Sequence, residues 1–491
     1  MTNAKVKLSY QLAPALRASY ALGLWTNAAD SDVETWLRDA TGQPTFAGQA
    51  GFASNTSRTI QRHSSHNLTL ATTTQGNWDF EAVATLYRMD RDETRLPATA
   101  SATGTSFGPA GRVAVLGGTG WSTLDLKGVW RPGGRNGAHL VTFGAHDDRA
   151  KLYNPTFNTT DWLAGGPYTT VATEGSGKTR TQALWAQDHW QVSSAVKFTL
   201  GARYEEWRGY DGRNINGTTT VIQPRVVRTG FSPKAVLAWA ATPAWTVTAS
   251  VGQAYRFATA AELYQLVATG ATFTSPSPDL KPDDALAAEV RFERALSRGR
   301  LRLALFQDDV HDAIISQFRP LVAGSAQLFS YLANVDHVRA RGVEFSAEQR
   351  DVLLPGLELS GSVTYLDART LALSGQASAT AAPGNAIGRR LPNIPDWRGT
   401  LVATYRVGPR WTFTAAGRYS GMLYTTLDNA DPHPNTYQGF APWFVADVKA
   451  VARLSDRWTA SAGVDNVLNR KYFLFHPFPQ RTFVVNLKMN F

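Results

Sequence analysis

The final eleven residues, Arg481 to Phe491, alternate without a break. Arg481, Phe483, Val485, Leu487, Met489 and Phe491 fall on one face of an extended chain, and Thr482, Val484, Asn486, Lys488 and Asn490 fall on the other. At ~3.3 Å per residue such a strand is ~36 Å long, and tilted by ~45° it climbs ~25 Å. That is the height of the apolar band of a membrane-spanning barrel, and about twice the usual strand length in a soluble sandwich.

The same pattern recurs through the chain. Trp245, Val247, Ala249 and Val251 alternate with Thr246, Thr248 and Ser250, and Trp458, Ala460, Ala462 and Val464 with Thr459, Ser461 and Asp465. A Lys or Arg at mid-membrane on the lipid face costs ~2–4 kcal/mol, so charge is confined to the opposite face. Strands are predicted at 4–12, 16–25, 64–74, 78–88, 121–131, 138–147, 180–191, 196–207, 228–239 and 244–253. They continue at 284–296, 299–310, 339–350, 357–367, 396–406, 409–419, 441–452, 456–466 and 481–491, about nineteen in all. Short links such as Ala13-Pro14, Ser297-Arg298 and Gly408-Pro409 alternate with long ones near 26–63, 89–120, 148–179, 208–227, 254–283, 311–338, 368–395 and 420–440. Long links would count against a compact soluble domain; in an outer-membrane barrel they form the extracellular loops, opposite short periplasmic turns. Phe491 is thereby placed at the periplasmic side, and residues 4–12 run down towards it. The fold expected is all-β, a large antiparallel transmembrane barrel.

Composition narrows the alternatives. No run of eighteen apolar residues occurs, which excludes helical spans but not strands. Zero cysteines removes disulfides and thiolate metal sites, and 15 Trp, 16 Tyr and 23 Phe suit interfacial girdles. The net charge of +10 is scattered, with no clustered patch or binding motif, so it argues for attraction of anionic ligands rather than for nucleic acid. No nucleophile elbow, phosphate loop or zinc-protease motif is present, and no catalytic residue is assigned. Asp308 and Asp309 are adjacent, hence on opposite strand faces, and cannot act as a paired acid and base. Met1 to Tyr10 alternates like a strand and has no apolar leader core.

Several segments resemble the barrel of TonB-dependent outer-membrane receptors of the siderophore type. They are AYRFATAAELYQL (254–266), YLANVDHVRARGVEFSAE (331–348), LPNIPDW (391–397), NVLNRKY (466–472) and the terminal strand ending in Phe491. Each is weak alone; five in order are strong, and together they cover about the last half of the chain. The resemblance implies a barrel of about 22 strands around an N-terminal plug. Against that pattern the 491 residues are expected to be a barrel portion only, lacking the plug, the TonB-contacting segment, the signal peptide and about three opening strands. An unpaired gap or strained closure is then expected between 4–12 and 481–491. The implied partners are outer-membrane lipid, a ferric siderophore or similar metal chelate, the TonB complex through the plug, and the barrel-assembly machinery. No cofactor is implied, since siderophores bring their own iron ligands. A passive pore without a plug is the alternative function.

The candidate ligand-binding residues are Arg256, Tyr264, Arg389 and Arg390, all in predicted extracellular loops; Arg256 and Tyr264 could instead order the loop base, and Arg389 and Arg390 could be a solvated loop pair. Phe483 and Phe491 carry the assembly signal that the resemblance implies. Gly342 is expected to be structural and Glu344 to face the lumen. His63 and His66 could bind metal together only in a helical turn, and alternation there predicts a strand, so no metal site is assigned.

Overall fold

The computed structural model describes residues 1–490 apart from 33, 36, 46–55, 99–106, 270–271, 275, 321–327, 375–383, 432 and 438; at 267–269, 272–274, 317–320 and 328–330 it describes the backbone alone. Among the described residues one sheet holds 23 strands. Four of these are short ribbons at the loop end (Gly111–Val115, Thr219–Ile222, Val267–Thr269 and Thr272–Thr274), and the other nineteen form the wall.

The wall begins with β1 (Thr2–Ala13), β2 (Leu16–Ser31), β3 (Ser57–Thr72), β4 (Trp78–Pro97), β5 (Gly120–Trp130) and β6 (His139–Thr159). It continues with β7 (Tyr168–Gln191), β8 (Val196–Asn216), β9 (Val226–Thr242), β10 (Trp245–Arg256), β11 (Asp283–Leu296), β12 (Gly299–Pro320) and β13 (Leu328–Arg350). The last six are β14 (Leu357–Ala372), β15 (Trp397–Val407), β16 (Trp411–Ser420), β17 (Trp443–Arg453), β18 (Trp458–Asp465) and β19 (Thr482–Met489). Each overlaps one predicted strand, and each pairs antiparallel with its chain neighbour. Among the described residues no ladder joins β1 to β19, and β1 is exposed along its whole length. Among the described residues no helix is long and apolar enough to cross a membrane.

Register assigns the faces. On β4, Trp78, Phe80, Ala82, Ala84 and Leu86 share one side, and Arg88 ends the run; on β8, Phe198, Leu200, Ala202 and Tyr204 give way to Glu206 and Arg208. Eight residue steps at ~3.3 Å, tilted as barrel strands are, span about 20 Å of height, close to the apolar band of an outer-membrane barrel. The opposite faces carry Glu81, Lys127, Arg203, Glu205, Arg302 and Glu344, and so line the lumen. Seven tryptophans (Trp78, Trp130, Trp190, Trp239, Trp245, Trp411 and Trp458) stand exposed at the short-turn ends, where an aromatic belt anchors a barrel at the interface. Trp78 stacks on Trp130 with centroids 5.6 Å apart.

The predicted loops need correction. Residues 148–179, 208–227 and 311–338 are largely paired strand, because β6–β8 and β12–β13 run on beyond the apolar band. Above that band both faces meet water, so alternation fades while backbone pairing persists. Gly342 has the structural role expected of it: a Cβ there would lie 2.4 Å from the Tyr365 carbonyl oxygen.

Candidate ligand-facing site at the barrel mouth

Four neighbouring strands place an aromatic arc on the lumen face near the extracellular end. Trp25 of β2 lies opposite His63 of β3, and Tyr87 of β4 opposite Trp121 of β5. Ring centroids are 4.8 Å apart for Trp25–His63, 5.7 Å for His63–Tyr87 and 4.1 Å for the stacked Tyr87–Trp121 pair. Trp121 remains 42 % exposed on a face that is otherwise polar. A large exposed aromatic on a water-lined wall marks a contact surface rather than core packing.

A bulge builds the polar backing of this arc. Tyr87 and Asp92 are five residues apart, so an unbroken strand would send them to opposite faces. The register jumps between Arg62 and His63, however, leaving Asp90 as an extra residue that restores Asp92 to the inner side. His63 is then held from both ends, with Nδ1 2.7 Å from the Tyr87 hydroxyl and Nε2 2.9 Å from the Asp92 carboxylate. A carboxylate only accepts, so Nε2–H donates to Asp92 and Nδ1 accepts from Tyr87. Gln61 Nε2 also donates to Asp92, at 3.0 Å. His63 and Asp92 are both buried, and their fixed geometry holds the Tyr87–Trp121 platform. His66 points the other way and meets the Tyr20 hydroxyl at 2.7 Å, so the two histidines do not share a face. Among the described residues no cluster of three His, Asp or Glu side chains could hold a metal ion.

Two inward-folded segments cover the lumen wall higher up. The first follows β10 and carries helix α1 (Ala260–Tyr264), which strand periodicity missed. Its signal was present as Thr259-Ala260-Ala261-Glu262: Thr259 Oγ1 accepts from the Glu262 amide at 3.2 Å, and Glu262 accepts from the Thr259 amide at 2.8 Å. Arg256 donates to Asp283 and to Glu262, both at 2.8 Å, so its guanidinium braces the base of this segment. Tyr264, expected to face ligand, is 1 % exposed and presents no surface to one. It lies in a cradle of glycines on β7 and β8: Cβ atoms at Gly177, Gly209 and Gly212 would come within 2.2, 2.9 and 2.4 Å of its side chain, and one at Gly175 within 2.4 Å of its carbonyl oxygen. Asn214 Nδ2 donates to that same carbonyl at 2.6 Å. Burial pushes the Tyr264 phenol up to about 12, with the nearby Asp211 charge adding to the effect. Leu263, Trp207 and Leu152 complete the cluster.

The second segment leads into β15. Its Leu391 and Ala386, with Leu427 from the connection between β16 and β17, pack against Val335, Val338 and Ala368 of β13 and β14. Arg390 is tied down within it, bonded to Asp396 at 3.0 Å and locked through its backbone to Asn429 at 2.8 and 2.9 Å. Arg389, its neighbour, is exposed and has no side-chain partner among the described residues. The four candidates are therefore not one cluster. Arg256 and Arg390 brace loops, Tyr264 is core, and Arg389 alone presents a free cation. Phe483 stands on the outer face, 73 % exposed, and Phe491 lies outside the described residues.

Comparison with known proteins decides the family. The family described as TonB dependent receptor-like, beta-barrel, matches residues 5–467. The chain belongs to the TonB-dependent receptor β-barrel family. Its proteins are transporters and receptors of the outer membrane, not enzymes. Among curated relatives, the ferric enterobactin receptor of Pseudomonas aeruginosa is 26 % identical over 443 residues, covering 82 % of this chain and 53 % of its own length. The chain thus spans about half the length of the curated relatives it matches. Among solved structures, the ferric yersiniabactin uptake receptor FyuA from Yersinia pestis superposes with a TM-score of 0.67 at 15 % identity, covering all of this chain and 70 % of that one. The unliganded ferric citrate transporter FecA gives 0.72 at 13 % identity, covering 99 % and 69 %. At these identities the likeness establishes the fold alone.

Proposed function

We propose that the chain is the barrel unit of a receptor for a ferric siderophore bearing aromatic iron-binding rings. The observation that carries this reading is the lumen-facing arc Trp25–His63–Tyr87–Trp121, whose open end is a flat indole. Aromatic rings gain from offset stacking on such a platform. Ferric complexes of such ligands are anionic, which suits the net charge of +10 and the unpaired Arg389 at the mouth. The curated relative named for ferric enterobactin supports the same class. In the whole receptor, capture at the mouth would precede energised contact between a plug and TonB, and the barrel-assembly machinery would insert the wall. Phe483 and the terminal Phe491 would serve as the signal that machinery reads.

The test is tryptophan-fluorescence quenching of the refolded chain in detergent micelles by a ferric tris-catecholate, with a ferric hydroxamate as comparison. Saturable quenching by the catecholate, at least tenfold weaker in Trp121→Ala, is the expected result. Equal response to both chelates, or no change in Trp121→Ala, would refute the aromatic-ligand reading. A steady open conductance of the intact gene product in planar bilayers would favour the passive-pore alternative.

A further inference from the structure

On the outer face of β12–β14, three rows of polar side chains begin where the apolar band stops. Leu301, Leu303 and Leu305 of β12 are followed on the same side by Gln307, Asp309 and His311. Register sets Gln307 beside Arg341 and Arg341 beside Asp367; one step higher, Asp309 stands beside Arg339 and Arg339 beside Arg369; above these, His311 stacks on His337 at 4.3 Å. These groups face outward, away from the lumen and from the ligand path.

The charges do not cancel. On β12–β14 three guanidiniums share two carboxylates; the next carboxylate on this face, Asp284 of β11, stands beside His311 and accepts from Gln253 at 2.7 Å. Asp309 is taken up by Arg339 at 2.6 Å, His337 at 2.9 Å and Gln307 at 2.6 Å. Asp367 holds Arg369 at 2.6 Å, and Arg369 is further fixed by the Gly388 carbonyl at 2.8 Å. Arg341 is left with a 3.5 Å contact to the same carboxylate, and its side chain is 63 % exposed. It is the least committed cation of the group, and it sits in the lowest row, at the upper edge of the apolar band.

Beside it the wall is hollowed: Ala288 and Ala235 share its cross-strand row, and Ala249 lies one pair lower. Ala235, Ala249 and Ala288, on β9, β10 and β11, form the floor of an outward-facing groove of about 730 Å³ walled by larger apolar side chains, with Gln307, Arg341 and Asp367 forming its polar end on β12–β14. An apolar trough ending at an under-neutralised guanidinium matches an amphiphile with an acyl chain in the trough and an anionic phosphate at its polar end. A guanidinium also meets a phosphate through two parallel N–H donors, which a zwitterionic headgroup with its own cation does not need.

We infer that this groove is a docking site for one phosphate-bearing anionic lipid of the surrounding leaflet, its acyl chain lying over Ala235, Ala249 and Ala288 and its phosphate on Arg341. The apolar floor supplies contact area and Arg341 supplies headgroup selectivity. The two contributions are therefore separable by mutation. The site is independent of the siderophore reading, since none of its residues faces the lumen.

The experiment refolds the full 491-residue chain into mixed micelles containing equal amounts of phosphatidylglycerol and phosphatidylcholine with identical acyl chains, and counts retained lipid by native mass spectrometry. The wild-type chain is expected to retain phosphatidylglycerol at least fivefold over phosphatidylcholine. Arg341→Gln should bring that ratio below twofold, while Ala249→Phe, which fills the trough, should lower retention of both lipids. Arg149→Gln, on the outer face of β6 and remote from the groove, should leave the ratio unchanged. No preference in the wild-type chain, an unchanged ratio in Arg341→Gln, or an equal loss in Arg149→Gln would overturn the proposal. A lipid-free dimer would overturn it too, by assigning the face to a second copy. A heat-modifiable gel shift confirms that each variant folds. Should Arg341→Gln fail to fold, the headgroup ratio of the wild-type chain and the Ala249→Phe loss still decide.

Discussion

The inward-folded segment around helix α1 and the unjoined edges at β1 and β19 are built on opposite terms. At α1, a short helix too small to be stable alone is fixed by tertiary packing: Tyr264 and Leu263 are each 1 % exposed, and glycines on two neighbouring strands make room for the ring. At the edges the strands are regular, yet β1 is exposed on both faces along its whole length and β19 at all but its last residue. Regular pairing on one side alone buries little. Irregular chain buries much when a sheet shaped by missing side chains receives it. Stability in this wall therefore concentrates where a loop returns onto it, not where alternation is cleanest.

That contrast can be broken by substitution. Tyr264→Ala should cost ~4 kcal/mol, the usual cost of removing a large buried ring, whereas Phe483→Leu, which keeps an apolar side chain against lipid at the edge, should cost under ~0.5 kcal/mol. Urea unfolding in micelles checks both, and equal losses would erase the distinction. The phenol of Tyr264 sharpens it through pH. Its proton is held up to about 12 against an ordinary value of 10.0, so the folded state keeps the proton longer than the unfolded chain does. The contribution is whole below pH 10, fades as pH rises from 10 towards 12, and amounts to on the order of 2 kcal/mol. Tyr264→Phe should flatten that alkaline slope in the same unfolding series. Gly177→Val comes next, since a Cβ there would lie 2.2 Å from the Tyr264 ring; overpacking of this kind costs ~1–3 kcal/mol. Thr259→Ala is the mildest, at ~1 kcal/mol for the lost cap, and should appear as faster amide exchange in α1 with little change in the strands.

What the chain reveals before folding follows the same division. Every wall strand is legible, because lipid enforces alternation: a misplaced charge such as Arg on the face of Leu401 would be intolerable. The extensions of β6–β8 are not legible, since water on both faces removes that constraint. The helix was readable from Thr259 and Glu262 but was overlooked beside the strand pattern. Arg256 and Arg390 carry the right charge for a ligand, yet Arg256 is spent on Asp283, 27 residues on, and on Glu262, and Arg390 on the nearby Asp396, pairings that only the fold shows. The aromatic arc was out of reach for a different reason. His63 looks isolated in sequence, and nothing in the residue order announces that Asp92 has changed sides.

The supernumerary Asp90 has a larger meaning for how such a wall can evolve. Removing or adding one residue at that spot would turn the remainder of β4 inside out while leaving everything below it in its old setting. The part embedded in lipid and the part above it can thus be rewritten separately, with a single-residue insertion serving as the hinge between two independently editable halves of one ribbon.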